Sequence, residues 1–263
     1  MSEGIVRVVV FAGLFAVLLM AQTLWPRREG QGGTWWPNLS IFVIGAVVSR
    51  LLVAVGAVAA AEWAGANGWG LFNAVSVPGW LAIAVSVVLL DFAVWGQHVL
   101  THRVPVLWRL HEVHHADERF DLSTGLRFHP AEIGLSLLYK SVVVVLLGAP
   151  ALAVVVFEIM LNGGSMFEHT NLRLPKRVDA AFRKVVVTPD MHRVHHSVRR
   201  EEADSNYGFF LSVWDRLFRT YREEPQDGHE AMSLGVAGGP RDQRLRTLLA
   251  RPLVPRGPAT PAQ

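Results

Sequence analysis

The sequence IGLSLLYKSVVVVLLGAPALAVVVFEIMLNGGSM, residues 133–166, is a long apolar run interrupted by GAP at 148–150. Two helical halves of about 15 residues would each rise about 22 Å. A hairpin with its tip at Pro150 would return the chain to the side of the membrane from which it came, because proline interrupts helices. A single pass is the alternative, and it would place everything after Met166 on the opposite side.

Three further apolar runs precede this one, at residues 5–22, 39–61 and 80–95, the last extending towards Leu100. Their length, in a 263-residue chain that is 51% hydrophobic, predicts transmembrane helices. A cleaved signal peptide is the rival interpretation of the first run, but Arg7 is its only basic residue and no small-x-small site follows. The sequence predicts an all-α integral membrane protein with about four transmembrane helices, the last a broken, hairpin-like pair.

Charge in the loops predicts the orientation of these helices. The loop PRREGQGGTWWPN, residues 26–38, carries two arginines, whereas AGANGWGLFNAVSVPG, residues 64–79, carries no charge. Because basic loops are retained in the cytoplasm, the first loop is predicted to be cytoplasmic. The third span would then deliver HVLTHR, residues 98–103, to the cytoplasmic side.

Ten of the eleven histidines lie between positions 98 and 196. HVLTH (98–102) places two of them four residues apart, and HEVHH (111–115) and HRVHH (192–196) each place three at spacings of three and four. On a helix these spacings put imidazoles on one face, about 5–6 Å apart at Cβ, which suits a shared metal ion or two adjacent ions. Interfacial histidines satisfied by headgroups and carbonyls are the alternative.

The number of imidazoles indicates two ions, since a structural zinc site takes four ligands and eight to ten imidazoles suit two sites. Imidazole binds iron and zinc alike, so the ligands do not identify the metal. The chain has no cysteine, which excludes iron–sulfur clusters and thiolate ligands. No basic stretch accompanies a nucleic-acid-binding motif, so nucleic acid is not expected as a partner.

The three boxes, in this order, resemble the fatty acid hydroxylase / sterol desaturase superfamily of integral-membrane, non-haem di-iron oxygenases. The resemblance covers about residues 90–221 and includes RFHPAE (127–132), EHTN (168–171) and NYGFFLSVWDRLFRTY (206–221). Arg219 departs from the pattern, which has glycine there. Residues 1–240 are interpreted as one membrane-embedded domain, and residues 241–263 as a basic, proline-rich tail.

The resemblance implies a cytoplasmic helical cap over a four-helix membrane bundle, with two irons held by histidines. The implied ligands are His98, His102, His111, His114, His115, His192, His195 and His196. His169 is a further expected ligand. His129 is a tenth candidate, for which the alternative is a role as a helix cap or as support for a ligand before Pro130.

Charged residues near the boxes and inside the spans receive separate interpretations. Glu168 is predicted to hydrogen-bond the outer nitrogen of a ligand. The other nearby acids are interpreted as mostly solvated: Asp117, Glu118, Asp121, Glu132 and Asp190. Arg50 and Asp91 lie at similar depth, about 16 Å into antiparallel spans, and are predicted to pair because an unpaired charge is costly in a bilayer. Alternatively, Arg50 reaches the interface or Asp91 reaches the metal ligands. His229 is predicted to be exposed.

The predicted function is an oxidoreductase that hydroxylates or desaturates a C–H bond of a lipid, with dioxygen as co-substrate and two irons, replaceable by zinc, as cofactors. Electrons are expected from a separate ferredoxin, or a small haem protein with its reductase, because the chain has no GxGxxG fingerprint. A non-catalytic metal-binding or transport protein is the alternative, although transport favours polar residues throughout the span. A dimetal hydrolase would usually have bridging carboxylates, which cannot be placed here.

Overall fold

The computed structural model describes residues 3–30, 34–52, 54, 56–239 and 242–254. Within these ranges the chain forms helices and no strands, with three isolated backbone bridges. The helices are α1 (Glu3–Leu24), α2 (Trp35–Leu51), α3 (Ala57–Ala66), α4 (Leu71–Ala74), α5 (Gly79–Arg103), α6 (Pro105–His115), α7 (Pro130–Leu147), α8 (Ala151–Glu168), α9 (Lys176–Phe182), α10 (Pro189–His195), α11 (Arg200–Ala203), α12 (Val213–Leu217), α13 (Gly228–Ala231) and α14 (Leu245–Ala250). Short 3₁₀ turns cover Thr124–Leu126 and Arg251–Leu253.

Four helices, α1, α5, α7 and α8, are long and apolar enough to cross a membrane. The predicted all-α membrane class is therefore confirmed. The predicted second span at 39–61 does not form one helix, because α2 ends at Leu51 and α3 begins only at Ala57. Gly56 precedes α3 in extended backbone (φ −71°, ψ 164°), and glycine is a poor helix-interior residue.

The hairpin predicted for residues 133–166 is confirmed, with α7 and α8 as its two arms. Each arm has 18 residues, longer than predicted, and rises about 27 Å. Gly148 ends α7 with a positive φ of 62°, a conformation that glycine adopts readily. A Cβ on Gly70 would lie 2.1 Å from the nitrogen of Gly148, so the loop before α4 can pack on the hairpin tip only because residue 70 is glycine.

A buried apolar core holds α5 against both arms of the hairpin. Leu90 and Val94 of α5 pack with Val144 of α7 and with Val154 and Phe157 of α8. This packing brings the end of α5, the start of α7 and the end of α8 to the same end of the molecule. The histidines of HVLTH lie in the last turns of α5, His129 directly precedes α7 and His169 directly follows α8.

The predicted C-terminal tail is folded over residues 242–254. Leu248 of α14 is fully buried against Ile41 of α2 and Val113 of α6. The Arg251 guanidinium donates to the Glu112 carboxylate at 2.6 Å. The tail packs in this way because leucines 245, 248 and 249 lie on one helix face. Residues 241 and 255–263 of the predicted tail lie outside the described residues.

Candidate metal centre

Three helices and the end of a fourth bring nine histidines to one region. His98 and His102 lie in the last two turns of α5, and α6 carries the HEVHH box. His169 directly follows α8, and the HRVHH box lies on and just after α10. Pro105 and Pro189 occupy the first positions of α6 and α10, where proline's missing N–H is not needed. No side chain of the nine is more than 3% exposed.

The nine imidazoles form two groups, in each of which one nitrogen per residue lies within 4.8 Å of all the others. The first group is His98, His102, His111, His115 and His195, and the second is His114, His169, His192 and His196. The groups are adjacent, since the rings of His115 and His196 stack with centroids 4.4 Å apart. The HEVHH and HRVHH boxes each contribute to both groups.

The hydrogen bonds of the first group determine which ring nitrogens carry protons. His98 Nδ1 donates to the carbonyl of Tyr207 and His195 Nδ1 donates to the carbonyl of Ser205, each at 2.7 Å. A carbonyl only accepts, so these Nδ1 atoms are protonated and both Nε2 atoms carry lone pairs. The two Nε2 atoms nevertheless lie 3.1 Å apart, where they repel each other unless a cation lies between them.

The second group repeats this arrangement around His169. Its Nδ1 donates to the Ser165 carbonyl at 2.6 Å, and His114 Nδ1 donates to the Arg127 carbonyl at 3.2 Å. Their unprotonated Nε2 atoms lie 3.1 Å apart. His169 Nε2 also lies 3.2 Å from His196 Nε2 and 3.1 Å from His192 Nε2.

These nitrogen–nitrogen distances fit a metal site. Adjacent ligands at right angles around an ion, with metal–nitrogen bonds of about 2.1 Å, are separated by about 3.0 Å. Within each group, the facing Nε2 atoms of neighbouring rings lie 3.0–3.2 Å apart. Metal-bound histidines also usually donate their other N–H to a carbonyl or carboxylate, as His98, His195, His169 and His114 do here.

Unpartnered nitrogens provide an independent observation. Both nitrogens of His115, Nε2 of His102 and Nδ1 of His196 are buried and have no hydrogen-bond partner among the described residues. A buried polar atom without a partner costs about 1–3 kcal/mol, a cost that metal coordination would remove for the inward-facing nitrogens. Burial also lowers the pKa of His195 and of His169 to about 3, which keeps both rings neutral near pH 7.

Carboxylates surround the outer nitrogens of several rings. Glu132 Oε1 accepts a 2.6 Å hydrogen bond from His111 Nδ1, and Asp204 Oδ1 lies 3.5 Å from His102 Nδ1. The predicted acid, Glu168, is fully buried with one oxygen 3.7 Å from Nδ1 of His169 and the other 3.7 Å from Nδ1 of His192. Neither oxygen has a hydrogen-bond partner among the described residues, so the predicted hydrogen bond is not formed. The sequence interpretation treated Glu132 as solvated and did not single out Asp204. The structure places both beside the imidazoles.

Two histidines lie outside these groups. His129 caps α7, where its Nδ1 accepts from the N–H of Ala131 at 3.2 Å and its Nε2 lies 3.2 Å from the Leu249 carbonyl. The capping alternative therefore describes His129 better than the ligand interpretation. His229 is only 5% exposed, and its Nε2 lies 3.0 Å from a Glu224 carboxylate oxygen. The prediction that His229 is exposed was wrong, because α13 packs against α10.

Arg50 and Asp91 do not form the predicted ion pair. Asp91 is buried on α5 and accepts a 2.7 Å hydrogen bond from the Trp214 indole, 123 positions later in the chain. Arg50 is exposed in the last turn of α2. Equal depth did not bring the two charges together because α2 packs chiefly against α7.

Asp215 is a buried residue of the site that the sequence interpretation did not single out. Its carboxylate accepts four hydrogen bonds from other residues at 2.7–3.1 Å. The donors are Trp95 Nε1, Thr220 Oγ1 and the backbone N–H groups of Tyr207 and Gly208. Because the Tyr207 carbonyl accepts from His98 Nδ1, Asp215 fixes the peptide that orients a histidine of the first group. An acid within the aromatic segment VWDRLF was the available signal.

Comparison with known proteins adds independent information about the same segment. Residues 83–220 match the family model described as fatty acid hydroxylase. Human alkylglycerol monooxygenase is 30% identical over 135 residues, which are 51% of this chain and 29% of that protein. Ornithine lipid hydroxylase OlsE of Rhizobium tropici is 28% identical over 159 residues, 59% of this chain and 46% of that protein.

A cholesterol 25-hydroxylase-like protein of Danio rerio is 31% identical over 145 residues, 54% of this chain and 56% of that protein. The chain thus spans about a third to just over half of the length of these curated relatives. No solved structure matches the chain significantly. The family match covers every one of the nine grouped histidines, and it confirms the resemblance seen in the boxes. The chain belongs to the fatty acid hydroxylase family.

Proposed function

We propose that this chain is a membrane-embedded lipid hydroxylase whose two histidine groups hold two iron ions. One observation carries the proposal. In each group, histidine rings that donate from Nδ1 to a carbonyl face each other through unprotonated Nε2 atoms. The lone pairs of these Nε2 atoms repel each other unless a cation lies between them. Nitrogen ligands would accept zinc as readily as iron. The resemblance to di-iron oxygenases favours iron.

The chain's own residues would prepare this site in three ways. The five-histidine group would hold one ion and the four-histidine group the other. Bound iron supplies the redox chemistry that activates dioxygen for attack on a C–H bond. The carbonyls of Ser205, Tyr207 and Ser165 keep their histidines in the tautomer that directs Nε2 inward. Burial of the nine side chains keeps bulk water away from the ligands.

Nearby acids would compensate the charge of the centre. Neutral imidazoles leave two divalent ions with a charge of about four, which is costly in a buried site. Glu132, Glu168 and Asp204 lie beside the ligands and would supply negative charge around them. We therefore propose Glu132, Glu168 and Asp204 as residues that orient the ligand rings and stabilise the bound ions.

The proposed reaction is hydroxylation of a lipid. One dioxygen, two electrons and two protons are consumed for each C–H bond, with one oxygen atom entering the product and the other leaving as water. The names of the relatives, alkylglycerol monooxygenase and ornithine lipid hydroxylase, favour hydroxylation over desaturation. We propose that electrons come from a separate ferredoxin, or a small haem protein with its reductase, since the sequence has no dinucleotide fingerprint.

We further propose that residues 1–240 act as one membrane-embedded domain with the histidine groups on the cytoplasmic side. Arg27 and Arg28 follow α1 at the histidine end of the bundle, whereas the opposite loop at 64–79 carries no charge. The chain has no cysteine, so single cysteines replacing Arg28 and Asn67 can be labelled with a membrane-impermeant maleimide in intact cells. Labelling at position 67 alone is expected, and labelling at position 28 alone would reverse the orientation.

The function is tested by supplying the proposed substrates together. The iron-loaded chain in nanodiscs made from a total bacterial lipid extract receives a ferredoxin, its reductase, NADPH and dioxygen labelled with oxygen-18. A lipid carrying one oxygen-18 atom is expected by mass spectrometry, and it should be absent when the reductase is omitted. A loaded chain that consumes no oxygen and yields no labelled lipid with any of the proposed donors would favour the non-catalytic metal-binding alternative.

A further inference from the structure

Helices α9 and α12 expose an apolar surface, here called the interfacial patch. Its apolar residues are 36–67% exposed and comprise Val178, Phe182, Val185, Val213, Leu217 and Phe218. The two helices form one continuous surface because the N–H of Ser212 donates to the Val185 carbonyl at 2.9 Å, and Arg216 donates to the Arg183 carbonyl at 2.8 Å. Exposed apolar residues grouped in this way are typical of a binding surface rather than of a surface in water.

The exposed charged residues within segments 176–185 and 213–219 are all positive, and the exposed acids Glu223 and Glu224 follow just beyond them. The basic residues are Lys176, Arg177, Lys184, Arg216 and Arg219. The two acids of these segments are buried, Asp179 in an ion pair with Arg183 and Asp215 in the hydrogen bonds described above. Within the described part of the chain, no acid lies within ion-pair distance of Lys176, Arg177, Lys184 or Arg219. The two segments of the patch therefore expose basic side chains that form no ion pair within the described part of the chain.

The patch lies beside a membrane-spanning helix. The ring of Phe218 stacks on that of Trp95 with centroids 4.6 Å apart, and the Trp214 indole donates to Asp91. Trp95 and Asp91 lie eight and twelve residues before the end of α5, which is about 12–18 Å along the helix axis. At this position the apolar residues can contact lipid chains while long basic side chains extend to the phosphate groups.

Arg219 has a backbone conformation that arginine rarely adopts. Its φ of 61° lies in the left-handed region, where a side chain bearing Cβ is disfavoured and glycine is the usual residue. The side chain of Arg219 is exposed and is not in an ion pair with a described residue. Strain of this kind at a surface position points to a role for the side chain outside the fold itself.

We propose that the interfacial patch binds the anionic phospholipid headgroups of the leaflet that surrounds α5. An acidic soluble protein would also satisfy the basic residues, but it would leave unexplained an exposed apolar centre packed along a spanning helix. The proposal is independent of metal binding and of the hydroxylase reaction, because none of the patch residues belongs to either histidine group.

Lipid selectivity tests the proposal. The purified full chain is exchanged into equimolar phosphatidylglycerol and phosphatidylcholine, and the lipids retained in gentle detergent are counted by native mass spectrometry. The wild type is expected to retain phosphatidylglycerol preferentially. The variant with Lys176→Gln, Arg177→Gln, Lys184→Gln and Arg219→Gln should lose most of that preference, roughly a tenfold fall or more, since each basic side chain near an anionic surface contributes to binding. Arg216 is left unchanged because it also stacks on Tyr221.

A double variant with Arg244→Gln and Arg246→Gln, exposed cations of the C-terminal segment, is the control and should keep the preference. A fourfold variant with unchanged selectivity, or a wild type without selectivity, would overturn the proposal. Binding of an acidic ferredoxin in zwitterionic nanodiscs that is lost in the fourfold variant, with lipid selectivity unaltered, would assign the patch to a protein partner and would also overturn it.

Arg219 allows a second test that separates lipid binding from folding. Arg219→Gly should raise the midpoint of thermal unfolding by about 2–4 °C, because the left-handed strain is removed, while it lowers retention of phosphatidylglycerol. Arg219→Lys should keep the retention without raising the midpoint. Arg219→Gly with higher stability and unchanged retention would contradict a role for the arginine side chain in lipid binding.

Discussion

Replacing His169 by alanine is expected to reduce the metal content from two ions to one per chain and to lower hydroxylation at least 100-fold, more than is typical for loss of a supporting hydrogen bond. The reason is the central position of His169 Nε2, which lies 3.1–3.2 Å from Nε2 of three other histidines of the second group. Without it, the remaining lone pairs no longer surround an ion. Metal content is measured by inductively coupled plasma mass spectrometry on folded, size-fractionated protein.

The matched control is His129→Asn, which keeps a capping side chain at the start of α7 and lies outside both groups. This variant should retain two ions and wild-type activity. His195→Ala should remove the ion of the first group and keep that of the second, whereas His169→Ala should do the reverse. A His169→Ala protein with two ions and full activity would show that the four-histidine group is not a metal site.

Replacing Asp215 by asparagine is expected to weaken metal binding by about 10–100-fold and to destabilise the fold by about 2 kcal/mol. Asp215 Oδ2 accepts from the N–H of Gly208, and an amide nitrogen placed there would face another donor. The peptide of Tyr207 would then lose its fixed position, and with it the acceptor for His98 Nδ1. The measurements are metal affinity by competition with a chelator and the midpoint of thermal unfolding.

If Asp215 had a purely structural role, Asp215→Asn would lower the midpoint of thermal unfolding and leave the metal affinity unchanged. The visible spectrum of the cobalt-substituted chain separates the two roles, since it reports the geometry of the bound ion. Asp215→Asn should change this spectrum, whereas Thr220→Val, which removes one donor to the same carboxylate, should leave it unchanged. An Asp215→Asn protein with an unaltered spectrum and unaltered metal affinity would show that Asp215 does not position His98.

The histidine spacings predicted which residues of each box share a helix face, because helix geometry places residues three and four apart on one face. The convergence of the three boxes with His169 was an expectation from the family resemblance. All nine expected ligands are buried in the two groups. The division between the groups was not predictable from spacing. His111 and His115 join one group while His114, between them, joins the other, and this depends on where α10 and His169 approach α6.

The acceptors that fix the tautomers were also beyond prediction from the sequence. Three of them are the backbone carbonyls of Ser165, Ser205 and Tyr207, and every residue has a carbonyl. Asp204 supports His102 from 102 positions away in the chain, so no local pattern marks it.

Among the spans, the hairpin was predictable because Gly148 and Pro150 interrupt an otherwise uniform apolar run. The prediction that Arg50 pairs with Asp91 was wrong, because helix rise gives the depth of a residue and not the direction in which it faces. Asp91 turns towards Trp214, which enters from a part of the chain without a membrane span. The break between α2 and α3 was missed because hydrophobicity alone did not weigh Gly56 against its apolar neighbours.

Anomalous X-ray scattering at the iron edge, from crystals of the iron-loaded chain, tests the central claim most directly. We predict two peaks per chain, one among the inward-facing nitrogens of His98, His102, His111, His115 and His195, and one among those of His114, His169, His192 and His196. A single peak, or iron bound at residues outside these two groups, would contradict it.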